Sequence, residues 1–250
     1  MPRPLADVAA LVTGGSRNIG RGIAERLAAD GARVAIGYHG SGDEADEALD
    51  AVRAQNPAAE PVALQADLSD PGGAAGLFDA AADAFGGPPR VLVHNAGAQG
   101  RRIALAETSD NDLDEFWQIN ARGSFYVLRE AARRLPDGGR IVAVTSSVTR
   151  QMPVGLGAYA ASKAAAEALV VTLARELGPR GITVNAVQPG PTKPEDQIGD
   201  EPEDADDAER SVFGRVGRPE DVAPVVAFLA REEARWVTGN VVLASGGAYL

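Results

Sequence analysis

Residues 8–20 read Val-Ala-Ala-Leu-Val-Thr-Gly-Gly-Ser-Arg-Asn-Ile-Gly, and this stretch decides the fold. Its first five residues form a short, continuously apolar run of the kind that is buried on both faces of a parallel sheet. The glycine-rich residues 13–20 lead into a helical pattern from Arg21 to Asp30, which Gly31 closes. A glycine turn between a strand and a helix presents backbone N–H groups and the positive end of a helix dipole, which suits a phosphate.

Two other interpretations of this glycine turn must be weighed. The Walker loop requires Lys followed by Ser or Thr after its last glycine, whereas Gly20 is followed by Arg21 and Gly22. The sequence therefore argues against an NTPase of that class. A tight turn that holds no ligand stays open as the alternative for any glycine cluster considered alone.

Strand and helix patterns alternate along the rest of the chain. This alternation predicts an α/β fold with a doubly wound, mostly parallel seven-stranded sheet, Rossmann-like, with helices on both faces. No internal repeat or Gly/Ser linker divides residues 1–250, so we predict a single domain. The predicted strands are residues 8–12, 33–36, 61–65, 90–94, 139–145, 181–187 and 241–243. The predicted helices are residues 21–30, 43–55, 71–85, 109–135, a helix through residues 159 and 163 that ends at 177, and 219–230.

Composition excludes several classes of function. Cysteine is absent and the only histidines are His39 and His94, so neither thiolate chemistry nor a histidine-based metal site is expected. No run of 18 apolar residues and no signal-peptide pattern occurs, so we expect no membrane span and a cytoplasmic location. The charge pattern does not resemble the footprint of a nucleic-acid-binding protein.

The stretch Tyr159-Ala-Ala-Ser-Lys163 carries the candidate chemistry. Residues four apart on a helix share a face, so the Tyr159 phenol and the Lys163 ammonium are expected to be neighbours. A phenol titrates near ~10, and a positive charge ~4 Å away at an effective dielectric of ~20 is worth ~4 kcal/mol, or about three pKa units. The pKa of Tyr159 is therefore predicted to approach neutrality, provided that desolvation of the phenolate does not cancel the gain. Chance occurrence on an exposed helix is the alternative.

The motifs fall where ligands bind in a doubly wound sheet, beyond the carboxyl ends of the strands. With these residues placed, the chain from Thr13 to Gly247 resembles the short-chain dehydrogenase/reductase family in its compact, 3-oxoacyl reductase-like form. The Tyr-to-Lys interval of four fits this form rather than the enoyl-reductase-like branch. The matching residues, in the family's order and at about its spacings, are Thr13-Gly14, Gly20, Asp67, Asn95-Ala-Gly97, Asn120, Ser146, Tyr159, Lys163 and Pro189-Gly190.

The resemblance implies an oxidoreductase that transfers a hydride between NAD(P)(H) and a carbonyl or secondary alcohol. It implies that Tyr159 is the general acid or base, that Lys163 lowers its pKa and holds the nicotinamide ribose, and that Ser146 donates to the substrate oxygen. Asn120 would kink its helix and anchor a water that links Lys163 to solvent. Ser147 competes for the role of the serine, and the interval of thirteen residues to Tyr159 favours Ser146.

The choice of cofactor follows from the end of the second strand. NAD-preferring sites generally place Asp or Glu there to accept from the ribose 2′-hydroxyl, whereas the first carboxylate here is Asp43. NADP-using relatives often carry a base in the glycine turn, as Arg17 does, so NADP(H) is predicted and NAD(H) is the alternative. Arg17 is assigned to the 2′-phosphate, with Ser16 and His39 as further candidates. The predicted cofactor contacts are Gly14, Ser16, Arg17, Asn18, Ile19, Gly20, His39, Asp67, Leu68, Asn95, Ala96, Gly97, Tyr159, Lys163, Pro189, Gly190 and Thr192.

Two residues depart from the family pattern near this site. Asn18 stands where glycine is usual, and asparagine is the commonest non-glycine residue at positive φ, so we expect the turn to survive. His94 stands where asparagine is frequent, and we expect it to pack or to make a backbone hydrogen bond rather than to bind a ligand.

One acidic segment accounts for most of the formal charge of -11. By the resemblance it belongs to a substrate lid at about residues 191–215, and most of its charges are expected on a solvated, partly disordered loop. Such a field disfavours anionic substrates, and the small and apolar residues 151–156 favour a neutral, partly hydrophobic one. The nine carboxylates of the segment are Glu195, Asp196, Asp200, Glu201, Glu203, Asp204, Asp206, Asp207 and Glu209.

Several alternatives stay open at this point. Carbonyl reduction with NADP(H), such as 3-oxoacyl or ketone reduction, is the favoured function. An NAD-dependent sugar or polyol dehydrogenase would use the same residues in the oxidative direction. A catalytically silent NADP-binding regulator on the same fold is the alternative from another class. A homotetramer is expected from the family resemblance alone.

Overall fold

A single parallel sheet organises the molecule. The structure, a computed structural model, describes residues 3–199 and 201–248. Its strands are β1 (Ala9–Thr13), β2 (Arg33–Tyr38), β3 (Val62–Gln65), β4 (Val91–His94), β5 (Arg140–Val144), β6 (Thr183–Pro189) and β7 (Val241–Ala244). They pair in the order β3-β2-β1-β4-β5-β6-β7, and every recorded pairing is parallel. The predicted fold is confirmed, and the sheet is parallel throughout.

Helices cover both faces of this sheet. The α-helices are α1 (Asn18–Ala29), α2 (Gly42–Gln55), α3 (Pro71–Phe85), α4 (Asp110–Phe116), α5 (Ser124–Arg134), α6 (Val148–Gln151), α7 (Gly157–Leu177), α8 (Pro202–Arg210) and α9 (Pro219–Ala230). A π-helical segment, Trp117–Gly123, joins α4 to α5. Short 3₁₀ turns occupy Pro57–Ala59, Leu105–Glu107, Gly178–Arg180, Glu195–Gln197 and Glu232–Ala234. Among the described residues, no helix is long and apolar enough to cross a bilayer.

The alternation of side chains along β1 divides the core into two layers. Ala10 and Val12 pack into the layer that includes residues of α1, α2 and α9, whereas Leu11 packs into the layer formed with α3, α5 and α7. All three side chains are fully buried. Because successive side chains of a strand point to opposite faces, a continuously apolar run is what a strand with two covered faces requires.

The reversal of strand order beside β1 positions the site. β1 lies between β2 and β4, and Thr13 pairs in register with His94. The turns that follow β1 and β4 therefore leave the same edge of the sheet next to each other. Ligands of doubly wound sheets bind in the crevice at such a switch point.

Two sequence predictions of local structure are wrong. The continuous helix expected at 109–135 is interrupted by the π-helical segment around Asn120, because an apolar pattern does not distinguish a locally wider turn from an α-helix. The loop expected at 195–209 instead contains a 3₁₀ turn and α8. Asp204 is buried there and accepts from Lys193 and from the Gly199 N–H, which fixes the start of α8. Asp200 lies outside the described residues.

Gly20→Ala is expected to damage the turn after β1. A Cβ at Gly20 would lie 2.0 Å from the Gly14 carbonyl oxygen and 2.5 Å from Asn95 Nδ2. Because backbone must move to relieve that overlap, we expect the free energy of unfolding in urea to fall by about 1–3 kcal/mol. Gly76→Ala, inside α3 with nothing within 4 Å of the new Cβ, is the control and should gain about 0.5–1 kcal/mol. Equal behaviour of the two variants would contradict this packing.

Candidate active site

The Tyr159 ring is fixed from two sides at the start of α7. A Cβ at Gly100 would lie 2.8 Å from Tyr159 Cδ1, so the backbone there approaches the ring as closely as only glycine permits. The Phe116 ring meets it edge to face, with centroids 5.8 Å apart. The phenol shares a hydrogen bond with Ser146, which follows β5. The competing Ser147 is buried, and its N–H donates to the Pro189 carbonyl at 2.9 Å. The serine that contacts the Tyr159 phenol is therefore Ser146.

Lys163 and Asn120 meet over Gly97. A Cβ on that glycine would lie 2.5 Å from Lys163 Nζ and 2.8 Å from Asn120 Oδ1. The Asn120 amide is fixed at both ends, because Oδ1 accepts from the Ala98 N–H at 3.0 Å and Nδ2 donates to Ser162 Oγ at 3.0 Å. The four residues predicted as catalytic are thus brought to one edge of the sheet, in the turn after β5, on α7 and in the π-helical segment.

Burial controls the protonation of the pair on α7. Burial raises the pKa of Tyr159 above its usual 10.0, and the hydrogen bond with Ser146 offsets this only in part. Burial also lowers the pKa of Lys163 to about 8, against the opposing charge of Glu167. The sequence placed the pKa of Tyr159 near neutrality on the condition that desolvation does not cancel the gain, and that condition is not met here, because burial is the largest influence on this phenol. At neutral pH Tyr159 is a protonated phenol.

His94 contacts the π-helical segment through the Ser124 hydroxyl. The Ser124 hydroxyl donates to the Asn120 carbonyl, so it must accept from His94 Nε2, 2.9 Å away. Thr13 Oγ1 accepts from the two N–H groups that follow β4, so its own proton goes to His94 Nδ1 at 2.9 Å. These bonds define a neutral imidazole protonated on Nε2. Of the two roles expected for His94, packing agrees with its burial, whereas its hydrogen-bond partners are two hydroxyl side chains rather than the backbone.

Burial keeps this imidazole neutral. His94 is 3% exposed, and burial, together with the nearby charge of Lys163, lowers its pKa to about 3. A proton on Nδ1 would also displace the donor hydrogen of Thr13. The position therefore carries no second cation beside Lys163.

The turn after β1 has the features of a phosphate cradle. Asn18 adopts φ 47°, in the left-handed region, as predicted for the residue that replaces glycine. Arg17 is the N-cap of α1 and provides no side-chain hydrogen bond to the first turn, so the helix presents N–H groups there. Asn95 Nδ2 donates to the Gly14 carbonyl at 2.9 Å and ties this turn to β4. The donors and the glycine contacts fit a pyrophosphate.

Several further residues predicted as cofactor contacts follow the ends of four strands, β1 to β4. The Arg17 side chain is 71% exposed, with Glu44 Oε1 3.7 Å away, and His39 is exposed at the end of β2. Asp67 Oδ1 accepts from the N–H and the hydroxyl of Ser69, which lowers the pKa of the Asp67 carboxyl. Ser16, Ile19 and Ala96 are half-buried, whereas Leu68 is buried.

The turn after β6 closes the other side of the site. The Thr192 hydroxyl donates to the Gly190 carbonyl at 2.9 Å, so it braces its own turn. Beyond it, Lys193 forms its ion pair with Asp204 of α8, and Arg218 pairs with Glu195 at 2.7 Å. Six of the eight described carboxylates in the acidic segment are exposed, as expected.

Sequence reasoning did not predict three residues that shape this site. Phe116 and Gly100 hold the tyrosine ring, and Ser124 holds the Asn120 carbonyl. The spacing of four between Asn120 and Ser124 is the signal that could have found the last contact. The scarcity of lysine is a second signal in the sequence and points to Lys163 and Lys193, because they are the only lysines among 24 basic residues. A buried amine changes its pKa readily, whereas a guanidinium does not.

The chain is similar to known proteins along almost its whole length. Residues 14–249 match the family model described as enoyl-(acyl carrier protein) reductase. The chain is 42% identical to an NADPH-dependent aldehyde reductase-like chloroplastic protein of Arabidopsis thaliana, over 98% of this chain and 96% of the relative. It is 40% identical to a short-chain type dehydrogenase/reductase of Picea abies, over 95% and 91% of the two chains. A solved short chain dehydrogenase from Burkholderia cenocepacia in complex with NADP is 41% identical, with a TM-score of 0.91 and coverage of 98% and 99%.

His94 is expected to make the fold sensitive to acid. Its pKa is about 3 in the folded chain and ~6.5 when unfolded, so below pH 6.5 only the unfolded chain gains the proton. Stability is therefore intact at pH 7 and falls as the pH drops, by about 2 kcal/mol between pH 7 and pH 5 from this group. Urea unfolding should show a shallower loss for His94→Asn than for the wild-type chain. His39→Asn, at the exposed histidine, should match the wild type, and identical slopes for all three chains would refute the assignment.

Proposed function

The chain belongs to the short-chain dehydrogenase/reductase family of oxidoreductases, and on that premise we propose that it reduces a small carbonyl compound with NADPH. Tyr159 is the general acid in this proposal, and Lys163, Ser146 and Asn120 support it. The observation that carries the proposal is the convergence of these four residues beside the phosphate cradle after β1. The chain's own residues fit a dinucleotide there.

Each residue has a defined task in this reaction. Ser146 donates to the carbonyl oxygen of the substrate as charge develops there. A nicotinamide bound at this site would supply the hydride for the carbonyl carbon. Tyr159 gives its proton to the oxygen, which completes the alcohol and leaves a phenolate beside Lys163. The Lys163 ammonium stabilises that phenolate and returns a proton to it, and the amine then regains a proton from solvent. Asn120, whose Oδ1 lies beside Gly97 as Lys163 Nζ does, would anchor the water that links Lys163 to solvent.

The protonation of Tyr159 supports the reductive direction. Burial raises the pKa of this phenol, so at neutral pH it holds the proton that reduction consumes. Oxidation of an alcohol would need the phenolate, which burial disfavours. Dehydrogenation of a sugar or polyol is therefore the second choice and would be favoured at alkaline pH. The name of the Arabidopsis relative, an aldehyde reductase-like protein, agrees with reduction.

The substrate in this proposal is neutral and partly apolar. Met152 and Val154 are exposed on the loop that leads from α6 to α7, next to the segment that packs on Tyr159. The exposed carboxylates of the acidic segment disfavour an anionic substrate. Reduction of a 3-oxoacyl group or a ketone fits this chemistry. The interval of four residues between Tyr159 and Lys163 favours carbonyl reduction over enoyl reduction, although the family model takes its name from the latter.

Location and assembly stay predictions. The Arabidopsis relative is named as a chloroplast protein, so a cytoplasmic location for this chain rests on its sequence alone. The homotetramer rests on the family resemblance, and light scattering of the purified chain measures it directly.

Tyr159→Phe distinguishes an enzyme from a silent NADP-binding regulator. We expect kcat, followed at the nicotinamide absorbance over a panel of carbonyl compounds, to fall by about 10²–10⁴-fold because the general acid is lost. Cofactor binding, measured by fluorescence titration, should be retained. Tyr126→Phe, on α5, is the control and should leave kcat unchanged. A wild-type chain that binds NADPH and turns over no carbonyl would instead favour the regulator.

Arg17→Ala tests the choice of cofactor. We expect the KM for NADPH to rise by about ten- to a hundredfold, because charge-assisted hydrogen bonds to the 2′-phosphate are lost. The KM for NADH should change little. Arg53→Ala, at an exposed arginine of α2 paired with Asp50, is the matched control. Equal effects on both cofactors, or a wild-type preference for NADH, would overturn the NADP(H) assignment.

A further inference from the structure

Glu167 is a half-buried carboxylate that the proposed reaction does not use. It lies on α7, one helical turn beyond Lys163. Its Oε1 accepts from Thr149 Oγ1 at 2.8 Å and from Gln188 Nε2 at 2.9 Å. Thr149 belongs to α6, and Gln188 is 4% exposed in β6, so this one oxygen joins three elements of the fold.

The hydrogen bonds around Glu167 form a closed set. Gln188 Nε2 has two hydrogens and donates them to Glu167 Oε1 and, at 2.7 Å, to Thr149 Oγ1. The single hydrogen of Thr149 is then shared between Glu167 Oε1 and the Ser146 carbonyl oxygen, which lies 2.9 Å away. Glu167 is thus an acceptor for both partners. An ionised acceptor strengthens such bonds and shortens them.

The three joined elements are those that carry the site. α6 begins directly after Ser146, α7 carries Tyr159 and Lys163, and β6 ends at Pro189. The Ser147 N–H donates to the Pro189 carbonyl on the other side of the same junction. Loss of the Glu167 acceptor would therefore release the serine loop and the turn after β6 together.

The charge of Glu167 also acts on the catalytic amine. Glu167 opposes the effect of burial on the pKa of Lys163, and His94 of β4, the other titratable group coupled to this amine, is neutral. Several acidic groups on the other helices packed against α7 have arginine partners, whereas Asp110 and Asp114 of α4 form no ion pair with another described residue. Glu130 of α5 pairs with residues 129, 133 and 134, and residues 112 and 115 of α4 pair with Arg101. On α6, Arg150 is exposed.

We propose that Glu167 is a positioning residue of the active site, which holds the serine loop and the end of β6 against α7 and supplies the counter-charge of Lys163. This inference rests on the proposed function for its kinetic consequences. Its electrostatic part concerns the free protein and stands apart from turnover.

Two substitutions separate the two roles of Glu167. Glu167→Gln retains an acceptor oxygen for Thr149 and Gln188 and removes the charge, whereas Glu167→Ala removes both. Glu176→Gln, an exposed position near the end of α7, is the matched control. Thermal unfolding of each variant establishes that it is folded before the comparison is made.

The titration of Lys163 can be observed directly, because Lys163 and Lys193 are the only lysines in the chain. Carbon NMR of protein labelled at the lysine ε-carbon should give two resonances, which Lys193→Arg assigns. We expect Lys163 to titrate near pH 8 in the wild type and about one unit lower in Glu167→Gln, a tenfold shift in the equilibrium. Glu176→Gln should titrate as the wild type does. The same pKa in Glu167→Gln and wild type would overturn the counter-charge role, whether or not the protein turns over a substrate.

The kinetic comparison tests the bracing role. In Glu167→Gln, kcat should stay near the wild-type value at pH 6 and fall about fivefold at pH 8, because less of the amine is protonated. In Glu167→Ala, kcat should fall about tenfold at both pH values, and the KM for NADPH should rise. An alanine variant with wild-type kcat at pH 6 would overturn the brace. Absence of turnover in the wild type would contradict the proposed function. The NMR titration would then still test whether Glu167 is the counter-charge of Lys163.

Discussion

Burial of a phenol and an amine on one helical face is the constraint on which the site depends. Lys163 is 7% exposed, and burial lowers its pKa to about 8 while it raises the pKa of Tyr159. Each group therefore favours its neutral form. The phenol keeps the proton that the proposed reduction requires, whereas a nearby negative charge favours the protonated amine. Glu167, one turn away, supplies it.

Rigid neighbours hold this pair without adding charge. Gly97 and Gly100 let the backbone approach the amine and the ring more closely than any side chain would allow. Asn120 is held through its amide and its carbonyl, in a π-helical segment of the kind that is frequent at functional sites. His94 supports that segment as a neutral imidazole, because a charged one would be unfavourable beside Lys163. The polar side chains of Thr13, His94, Asn120 and Ser124 therefore satisfy one another and the neighbouring backbone with hydrogen bonds between neutral groups.

Periodicity and motif spacing predicted the sheet, the helices that flank it and the residues gathered at its edge, because both are local properties of the chain. The balance of forces inside the site could not be predicted in this way. The spacing of Tyr159 and Lys163 indicates their attraction, but the cost of removing water from both appears only when their surroundings are known. Similarly, the composition of the acidic segment suggests disorder, whereas in the structure Asp204 is buried and accepts from Lys193 and from the Gly199 N–H at the start of α8. The role of Glu167 depends on Gln188, which is close in space and distant in sequence.

The central claim is that burial, rather than the lysine charge, sets the protonation of Tyr159 in the free protein. The most direct test is a pH titration of phenolate absorbance, recorded as the difference between the wild-type chain and Tyr159→Phe, which isolates one of the four tyrosines. The account predicts that the midpoint of the difference signal lies above pH 10.0, the usual pKa of a phenol. A phenolate signal from Tyr159 that develops near neutral pH would contradict it.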